Sequence, residues 1–362
     1  MPTAQIGALL TGKLNWDGLL ELAGHHGLQG IVANRLQEIA FAGVPASARE
    51  SLQNRMRTQH LITLSLTAEL FRILQDFSET RVEAVLNKGP LVSRLAYGDP
   101  AVRSYGDLDL LVRHRDIQAA AQRMVELGFH SEIPQSAIDA GKIPGEYVFR
   151  KPGTALLVEL HTQLTFRYYP KGMPIDDLFT RKRAVSLEGK EVPALSLEDE
   201  FLFNCVHGAK DFWARLLWVS DIAGMVARHP EMHWDEVQSN SAAAGAGRML
   251  RVAVRLASLL LGVTIPPALA SEIERDRATE ALCHRIQGWL PYAGMAPPTL
   301  ARRAKFRFNM AGGGLAGAAF LARLSLSPTQ EDWTEGAEER RSWLWDAVRR
   351  PLRLFRKYGS SE

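Results

Sequence analysis

The chain has 362 residues, of which 46% are apolar and 23% are charged. These proportions are ordinary for a folded globular protein, and the length leaves room for two or three domains or subdomains. The formal net charge of +3 is small for this length, so the composition does not indicate a nucleic-acid partner.

The sequence also bears on where the protein works. Cys205 and Cys283 lie far apart without metal-ligand spacing, which predicts buried thiols in a reducing compartment. The first residues lack the basic-then-apolar layout of a secretory signal. The uncharged stretch that comes nearest to a membrane span, residues 256–271, is interrupted by Pro266-Pro267 and is too short to cross a bilayer. We therefore expect a cytoplasmic protein with no transmembrane segment.

Patterning along the chain divides it into four predicted segments. Residues 1–80 carry apolar residues at helical spacing and are predicted to form an N-terminal helical region. Residues 81–195 alternate strand and helix patterns, and residues 196–330 are helical again after a Ser196–Asp199 capping pattern. Residues 331–362 form a basic, aromatic tail. Its aromatic side chains are expected to dock on the body, with a membrane surface or an acidic partner as the alternative.

A strand, a glycine and a helix follow one another early in the central segment. Residues 82–86 fit a short strand, and apolar residues from Leu91 to Tyr97 fall at helical spacing. A helix that begins just after Lys88-Gly89 presents free backbone N–H groups to a phosphate, and Lys88 adds a positive charge there. This turn is therefore a candidate phosphate-binding element.

Residues 105–112, Tyr-Gly-Asp-Leu-Asp-Leu-Leu-Val, alternate acidic and aliphatic side chains, which predicts a half-buried strand. Residues two apart on a strand share a face and lie about 7 Å apart at the backbone. Asp107 and Asp109 therefore point the same way, and two such carboxylates repel each other unless a cation lies between them. Oxygen ligands of this kind suit Mg²⁺. A bare Asp-x-Asp also occurs at solvated strand ends, so the neighbouring elements decide between the two interpretations.

Further strand patterns follow this one. Residues 129–133 and 147–150 are predicted as edge strands that flank a loop rich in proline and glycine. That loop is either a lid over the site or a surface hairpin. Residues 156–161 alternate again and bring Glu159 and His161 to one face. Glu159 is thus a candidate for the third carboxylate that a two-cation site would need.

The motifs at residues 86–89, 103–112 and 158–161 together resemble the nucleotidyltransferase superfamily of the DNA polymerase β type. Within it they resemble a bacterial family of uncharacterised nucleotidyltransferases, NTP_transf_5. The resemblance implies an α+β fold, in which a small mixed β-sheet nucleotidyltransferase core is flanked by N-terminal and C-terminal helical regions. It also implies that Asp107, Asp109 and Glu159 are catalytic residues that hold two Mg²⁺ ions, with Mn²⁺ as the alternative metal.

A second signature lies in the C-terminal helical segment. Residues 206–222 are similar to the family pattern His-x-x-Lys-x-x-Trp-x-Arg-Leu-x-Trp-x-x-Asp. His207 and Lys210 are three residues apart and so share a helix face. A surface pair is the plainer alternative for them, and Asp221 is expected to anchor the helices internally. The candidate nucleotide-binding residues are Lys88, Gly89, Arg103, His207 and Lys210.

The expected activity is transfer of a nucleoside monophosphate from a nucleoside triphosphate, such as ATP, to an acceptor with release of pyrophosphate. The acceptor is a small molecule, a peptide or a macromolecule. Two alternatives stay open at this point. One is a catalytically inactive protein of this fold that binds a nucleotide or a partner. The other is a toxin-like enzyme that modifies RNA or protein.

Overall fold

A computed structural model of the chain describes residues 3–10, 12–131, 133–139, 145–163, 173–290 and 299–326. Its N-terminal helices are α1 (Thr3–Leu10), α2 (Trp16–His25), α3 (Gln29–Gln37) and α4 (Ala46–Glu79). The first helices share a small core with the start of α4, formed by Ile6, Ala33, Leu36, Phe41 and Leu52. Farther along α4, Leu66, Leu70 and Ile73 join the main core of the protein.

Seven strands form one sheet in the order β3-β4-β5-β2-β1-β7-β6. The strands are β1 (Ala84–Asn87), β2 (Asp107–Val112), β3 (His130–Ser131), β4 (Glu146–Arg150), β5 (Leu157–His161), β6 (Arg183–Leu187) and β7 (Lys190–Ala194). The pairs β2–β5 and β1–β7 are parallel, and the other neighbouring pairs are antiparallel. The sheet is therefore mixed, and helices precede and follow it along the chain. The predicted α+β class is confirmed.

Helices connect the strands and then complete the chain. Those between strands are α5 (Gly89–Tyr97), α6 (Ile117–Glu126), α7 (Gln135–Asp139) and α8 (Ile175–Thr180). Those after the sheet are α9 (Leu197–Lys210), α10 (Leu216–Arg228), α11 (Trp234–Ala244), α12 (Gly247–Leu261), α13 (Pro267–Arg275), α14 (Arg277–Trp289), α15 (Leu300–Met310) and α16 (Gly314–Leu326). Buried residues of α9, α10 and α12 belong to the same core cluster as the strands. The sheet and the C-terminal helices thus pack together.

Local capping explains where helix α9 begins. The Ser196 hydroxyl accepts a hydrogen bond from the Asp199 backbone N–H at 3.1 Å, as the capping pattern predicts. The Asp199 carboxylate does not complete the reciprocal half of a capping box within the described contacts. It instead forms two hydrogen bonds with the Arg181 guanidinium, each 2.9 Å long.

The structure corrects one prediction about the sheet and adds a hairpin to it. The strand at residues 146–150 is not an edge strand, because β4 lies between β3 and β5. The hairpin formed by β6 and β7 was not predicted from the sequence, although it supplies the other edge. Of the predicted lid or hairpin, residues 140–144 lie outside the described residues, and so does the tail at 331–362.

Two further expectations concern the cysteines and membrane-spanning helices. Cys205 and Cys283 are buried free thiols, as predicted. Within the described ranges, no helix has both the length and the apolar character needed to cross a bilayer.

Candidate active site

Strand register brings two of the predicted acids together. Strands β2 and β5 are parallel neighbours, with Asp109 paired with Glu159 and Asp107 paired with Leu157. Paired residues of adjacent strands point to the same face of the sheet. Donor atoms of Asp109, Glu159 and His161 consequently lie within 4.8 Å of one another. Asp109 and Glu159 are thus direct neighbours in the fold although they are 50 positions apart in the sequence.

Asp107 lies two residues before Asp109 on strand β2, on the same face. Its carboxylate is not among the three groups that meet within 4.8 Å. Burial, together with the negative charges of Asp109 and Glu159, raises the pKa of Asp107 to about 6. Asp107 therefore belongs to the same electrostatic site, although its side chain is set apart from the tight cluster.

Lys88 supplies the positive charge that the cluster needs. It links β1 to α5, and its Nζ lies 2.5 Å from Asp109 Oδ1. The ammonium also lies 5.4 Å from the centre of the Phe203 ring. Burial lowers the pKa of Lys88, but the Asp109 carboxylate outweighs this effect and holds it above its ordinary value. Lys88 is therefore charged at neutral pH, as a phosphate-binding group would have to be.

The backbone at this turn is unusual. Lys88 has φ +50° and Gly89 has φ +39°, both in the left-handed region. Such a conformation costs a non-glycine residue of order 1–3 kcal/mol and persists only where surrounding contacts impose it. One such contact is long-range, since the Lys88 N–H donates to Glu200 Oε1 of helix α9 at 3.1 Å. Helix α9 therefore fixes the turn from outside the sheet.

Glu200 is fully buried and accepts a second hydrogen bond at Oε1, from Asn204 Nδ2 at 2.8 Å. Its Oε2 atom has no partner among the described residues. Burial raises the pKa of Glu200 to about 7, even though these hydrogen bonds oppose the change. The amide of Asn87 is also buried and has no described partner. Polar groups without a partner in the described part of the chain thus cluster around the Lys88 turn.

His161 is a site residue to which the sequence alone assigned no role. It is buried, and its Nε2 lies 2.8 Å from Asp109 Oδ1 and 3.4 Å from Glu159 Oε2. Burial and the Lys88 charge lower the pKa of His161, but hydrogen bonds to the two carboxylates outweigh them and raise it. The same Lys88 and His161 contacts hold the pKa of Asp109 well below its ordinary value, against the effect of burial.

Sequence signals for these additional residues were present but weak. His161 follows Glu159 by two residues on an alternating strand, which places both on one face. Glu200, Asn204 and His207 recur at intervals of four and three on helix α9, which places them on one helix face. Nothing in the sequence, however, indicates that this face meets the Lys88 turn 112 residues away.

Arg103 occupies a different environment from the one expected of a nucleotide-binding residue. Its Nε donates to Asp221 Oδ2 at 2.9 Å, and Tyr97 donates to the other Asp221 oxygen at 2.8 Å. All three lie between α5 and α10, where Asp221 is fully buried. Asp221 thus anchors the helices internally. A nucleotide-binding role for Arg103 stays a prediction, and it would have to coexist with this ion pair.

His207 and Lys210 lie at the C-terminal end of helix α9, on one face as predicted. The His207 ring stacks on Phe203 at 6.4 Å between centroids and meets the edge of Trp218 at 5.4 Å. Burial, with the positive charges of Lys88 and Lys210, holds the pKa of His207 well below its ordinary value. Phe203 thus contacts both Lys88 and His207. The nucleotide-binding roles of His207 and Lys210 stay predictions.

The donor set has the chemistry of a divalent-cation site. Asp109 and Glu159 offer carboxylate oxygens and His161 an imidazole nitrogen, all within 4.8 Å. Carboxylates suit Mg²⁺ and Mn²⁺, and imidazole suits later transition metals as well. The Lys88 ammonium stands against Asp109 as an internal counter-charge. A cation at this position would take over that role and leave Lys88 available to a phosphate.

A family model described as uncharacterised nucleotidyltransferase matches residues 12–262, which is more than half of the chain. Curated proteins give no significant match.

Solved structures give distant matches. The lincosamide antibiotic adenylyltransferase LnuA with lincomycin bound is 17% identical, with a TM-score of 0.28, over 38% of this chain and 84% of that one. The antibiotic-resistance factor ANT(2'')-Ia is 13% identical, with a TM-score of 0.35, over 49% and 91%. An antigenic nucleotidyltransferase-like protein from Paracoccidioides brasiliensis is 18% identical, with a TM-score of 0.33, over 59% and 92%. Similarity this low supports no argument about substrates.

The family match includes β1, the Lys88 turn, both acidic strands and helix α9. It ends at residue 262, so the tail at residues 331–362 lies beyond it. The chain belongs to the uncharacterised nucleotidyltransferase family, and it is therefore assigned to the nucleotidyltransferase enzymes.

Proposed function

We propose that the protein transfers a nucleoside monophosphate from a nucleoside triphosphate to a hydroxyl group of an acceptor, in a reaction that requires Mg²⁺ or Mn²⁺ and releases pyrophosphate. One observation carries the proposal. Asp109 and Glu159, on neighbouring parallel strands, meet beside Lys88 at the N-terminus of helix α5. Acidic groups for cations and a basic turn for phosphates are the two parts that phosphoryl-transfer chemistry needs.

The acids have distinct proposed roles. Asp107, Asp109 and Glu159 would hold the divalent ions, which supply charge neutralisation for the triphosphate when bound. The Asp109 carboxylate is 2% exposed and is already bonded by Lys88 and His161, whereas the Glu159 side chain is 18% exposed. Glu159 is therefore the more accessible of the two to the acceptor hydroxyl, whose proton it would accept. The acceptor oxygen forms a bond to the α-phosphorus. The bond between the α-phosphorus and the oxygen that bridges to the β-phosphate breaks, and pyrophosphate leaves with that oxygen.

The turn at Lys88-Gly89 would bind the phosphates. Helix α5 begins there, and its first N–H groups carry the partial positive charge of a helix N-terminus. A Cβ added at Gly89 would lie 3.4 Å from the Asp107 carbonyl oxygen, so the turn packs closely against β2. This packing keeps the phosphate-binding turn and the acidic strand at a fixed separation, which is what in-line transfer requires.

Transfer of labelled nucleotide tests the activity directly. The protein is incubated with each α-labelled nucleoside triphosphate, Mg²⁺ or Mn²⁺, and host extract. We expect one species to acquire label, and only when Asp109 is intact. Asp109→Asn is the test variant, and Glu274→Gln, the same change of charge on the exposed face of helix α13, is the matched control.

The controls separate the proposal from its rival. Full transfer by the Asp109→Asn variant would show that the site is misassigned. If calorimetry shows that a nucleoside triphosphate binds equally well with and without Mg²⁺, and no label is transferred, a catalytically inactive binding protein is favoured instead. The labelled species also identifies the acceptor class: a small molecule, a peptide or a macromolecule.

Location and domain organisation complete the proposal. We also propose that the protein is cytoplasmic, since nucleoside triphosphates are available to the site in the cytoplasm. The segments 1–80, 81–195, 196–330 and 331–362 are proposed as structural units. Helix α9 would join the third segment to the second through the Glu200 contact with Lys88.

A further inference from the structure

His161 contacts both carboxylates of the cluster with a single atom. Its Nε2 lies 2.8 Å from Asp109 Oδ1 and 3.4 Å from Glu159 Oε2. The ring is buried at the end of a strand whose neighbours on both sides are paired in register. Its direction is therefore set by the sheet, and it points to where the two carboxylates meet.

An imidazole nitrogen changes which metal a carboxylate site prefers. Mg²⁺ strongly favours oxygen ligands and keeps most of its waters, whereas the first-row divalent metals from Mn²⁺ onward bind nitrogen ligands with increasing strength, so an imidazole ligand discriminates against Mg²⁺. We propose that His161 Nε2 is a direct ligand of one of the cations at the Asp109–Glu159 pair, and that this site therefore prefers Mn²⁺ to Mg²⁺. The inference rests on the proposed function and names the metal class of that same site.

The competing interpretation is that His161 only donates a hydrogen bond and orients Asp109. That role leaves the imidazole nitrogen away from the cation. The two interpretations differ in one measurable respect. A coordinating ¹⁴N nucleus couples magnetically to bound Mn²⁺, and a nitrogen that donates its proton to a carboxylate is not bonded to the ion. The magnetic resonance signal of bound Mn²⁺ therefore shows directly whether a nitrogen atom coordinates the ion.

The chain also provides a matched control site. Glu198, His233 and Glu236 form the other described group whose donor atoms lie within 4.8 Å of one another. Here Glu198 already pairs with Arg183 at 2.6 Å, and the His233 side chain is 73% exposed. The His233 group is exposed, and an arginine already neutralises its Glu198. Mn²⁺ binding and ¹⁴N coupling that depend on His233 therefore give the background for the same measurements on His161.

The experiment adds MnCl₂ alone to the full-length protein and records electron spin-echo envelope modulation of the bound ion. Four proteins are compared: the unmodified chain and the variants His161→Gln, His233→Gln and Asp109→Asn. Glutamine at 161 keeps an N–H donor for Asp109 but removes the imidazole nitrogen. Calorimetric titrations with MnCl₂ and MgCl₂ give the two affinities for each protein.

We expect ¹⁴N coupling in the unmodified chain and in His233→Gln, and none in His161→Gln. His161→Gln should bind Mn²⁺ roughly tenfold or more weakly, by analogy with losses seen when groups around a metal are removed. Its Mg²⁺ affinity should fall less, so the preference for Mn²⁺ narrows. Circular dichroism and thermal denaturation check that each variant is folded.

Three outcomes would overturn the inference. Mn²⁺ that binds in an Asp109-dependent way without ¹⁴N coupling leaves the proposed function intact and makes His161 a positioning residue only. Coupling that survives in His161→Gln but disappears in His233→Gln places the ion in the other group. Mn²⁺ binding that is absent, or unchanged by Asp109→Asn, contradicts both this inference and the proposed function.

Discussion

Replacing Asp107 with asparagine should make the metal-free protein more stable while it removes activity. The Asp107 carboxylate ionises beside Asp109 and Glu159, and burial together with their charges raises its pKa from 3.8 to about 6. A difference of about two pKa units corresponds to about 3 kcal/mol. Because the side chain is partly exposed, solvent screening reduces the expected gain to about 1–2 kcal/mol.

The size of this effect depends on pH. The folded protein binds the Asp107 proton more tightly than the unfolded chain does, so stability is lost as pH rises from about 4 to about 6. Above this pH range the ionised Asp107 destabilises the folded protein by the full amount. Below it, Asp107 is protonated in both the folded and the unfolded chain, and the destabilisation is absent. The stabilising effect of Asp107→Asn should therefore be seen at pH 7.5 and should vanish at pH 3.5.

Urea denaturation without metal, at pH 3.5 and at pH 7.5, measures this difference. Nucleotidyl transfer by the same variant should fall about a hundredfold or more, as for the loss of other preorganised electrostatic groups. Glu274→Gln removes one exposed negative charge and should change neither quantity. A variant that is less stable than the unmodified chain at pH 7.5, or equally stabilised at both pH values, would refute the reasoning.

Four other substitutions test contacts and open space in the structure. Asp221→Asn leaves Arg103 buried without its ion pair and should lower the free energy of unfolding by about 3–5 kcal/mol in urea. Glu200→Gln should remove the contribution of Glu200 to the loss of stability as pH rises from 4.5 to about 7, because burial raises the pKa of Glu200 to about 7; the change in urea midpoint between pH 5 and pH 8 should therefore be smaller in the variant than in the unmodified chain. Gly224→Ala would place Cβ 2.5 Å from a backbone oxygen of α5, at a cost of about 1–3 kcal/mol in thermal denaturation. Gly288→Ala, with open space in a helix, should gain up to about 1 kcal/mol. An equally stable Gly224→Ala variant, an unchanged pH profile for Glu200→Gln, or a small cost for Asp221→Asn would contradict these contacts.

Predictions from the sequence succeeded where the signal was local. Alternation of acids and aliphatic residues located strand β2, and the glycine after Lys88 located the start of helix α5. The capping serine located the start of helix α9. Each of these features depends on residues within a few positions of one another, which is the range over which periodicity and capping operate.

The sheet order was harder to predict for a physical reason. Strand β4 was predicted at an edge, and the β6–β7 hairpin was missed, because strand pairing depends on backbone hydrogen bonds between distant segments. A strand pattern shows that one face is apolar and does not show which neighbours it acquires. The Arg103–Asp221 pair joins residues 118 positions apart and has the same origin.

The sequence by itself determined which residue types could carry the chemistry: three acids on two strands, and a lysine before a helix. Only the tertiary structure decided that Asp109 and Glu159 are paired in register, that His161 lies between them, and that Glu200 holds the Lys88 turn. The physical reason is that a strand or helix pattern fixes the face on which a side chain lies. The partner that this face meets is selected by packing of the whole chain, since the buried core is shared by segments far apart in sequence.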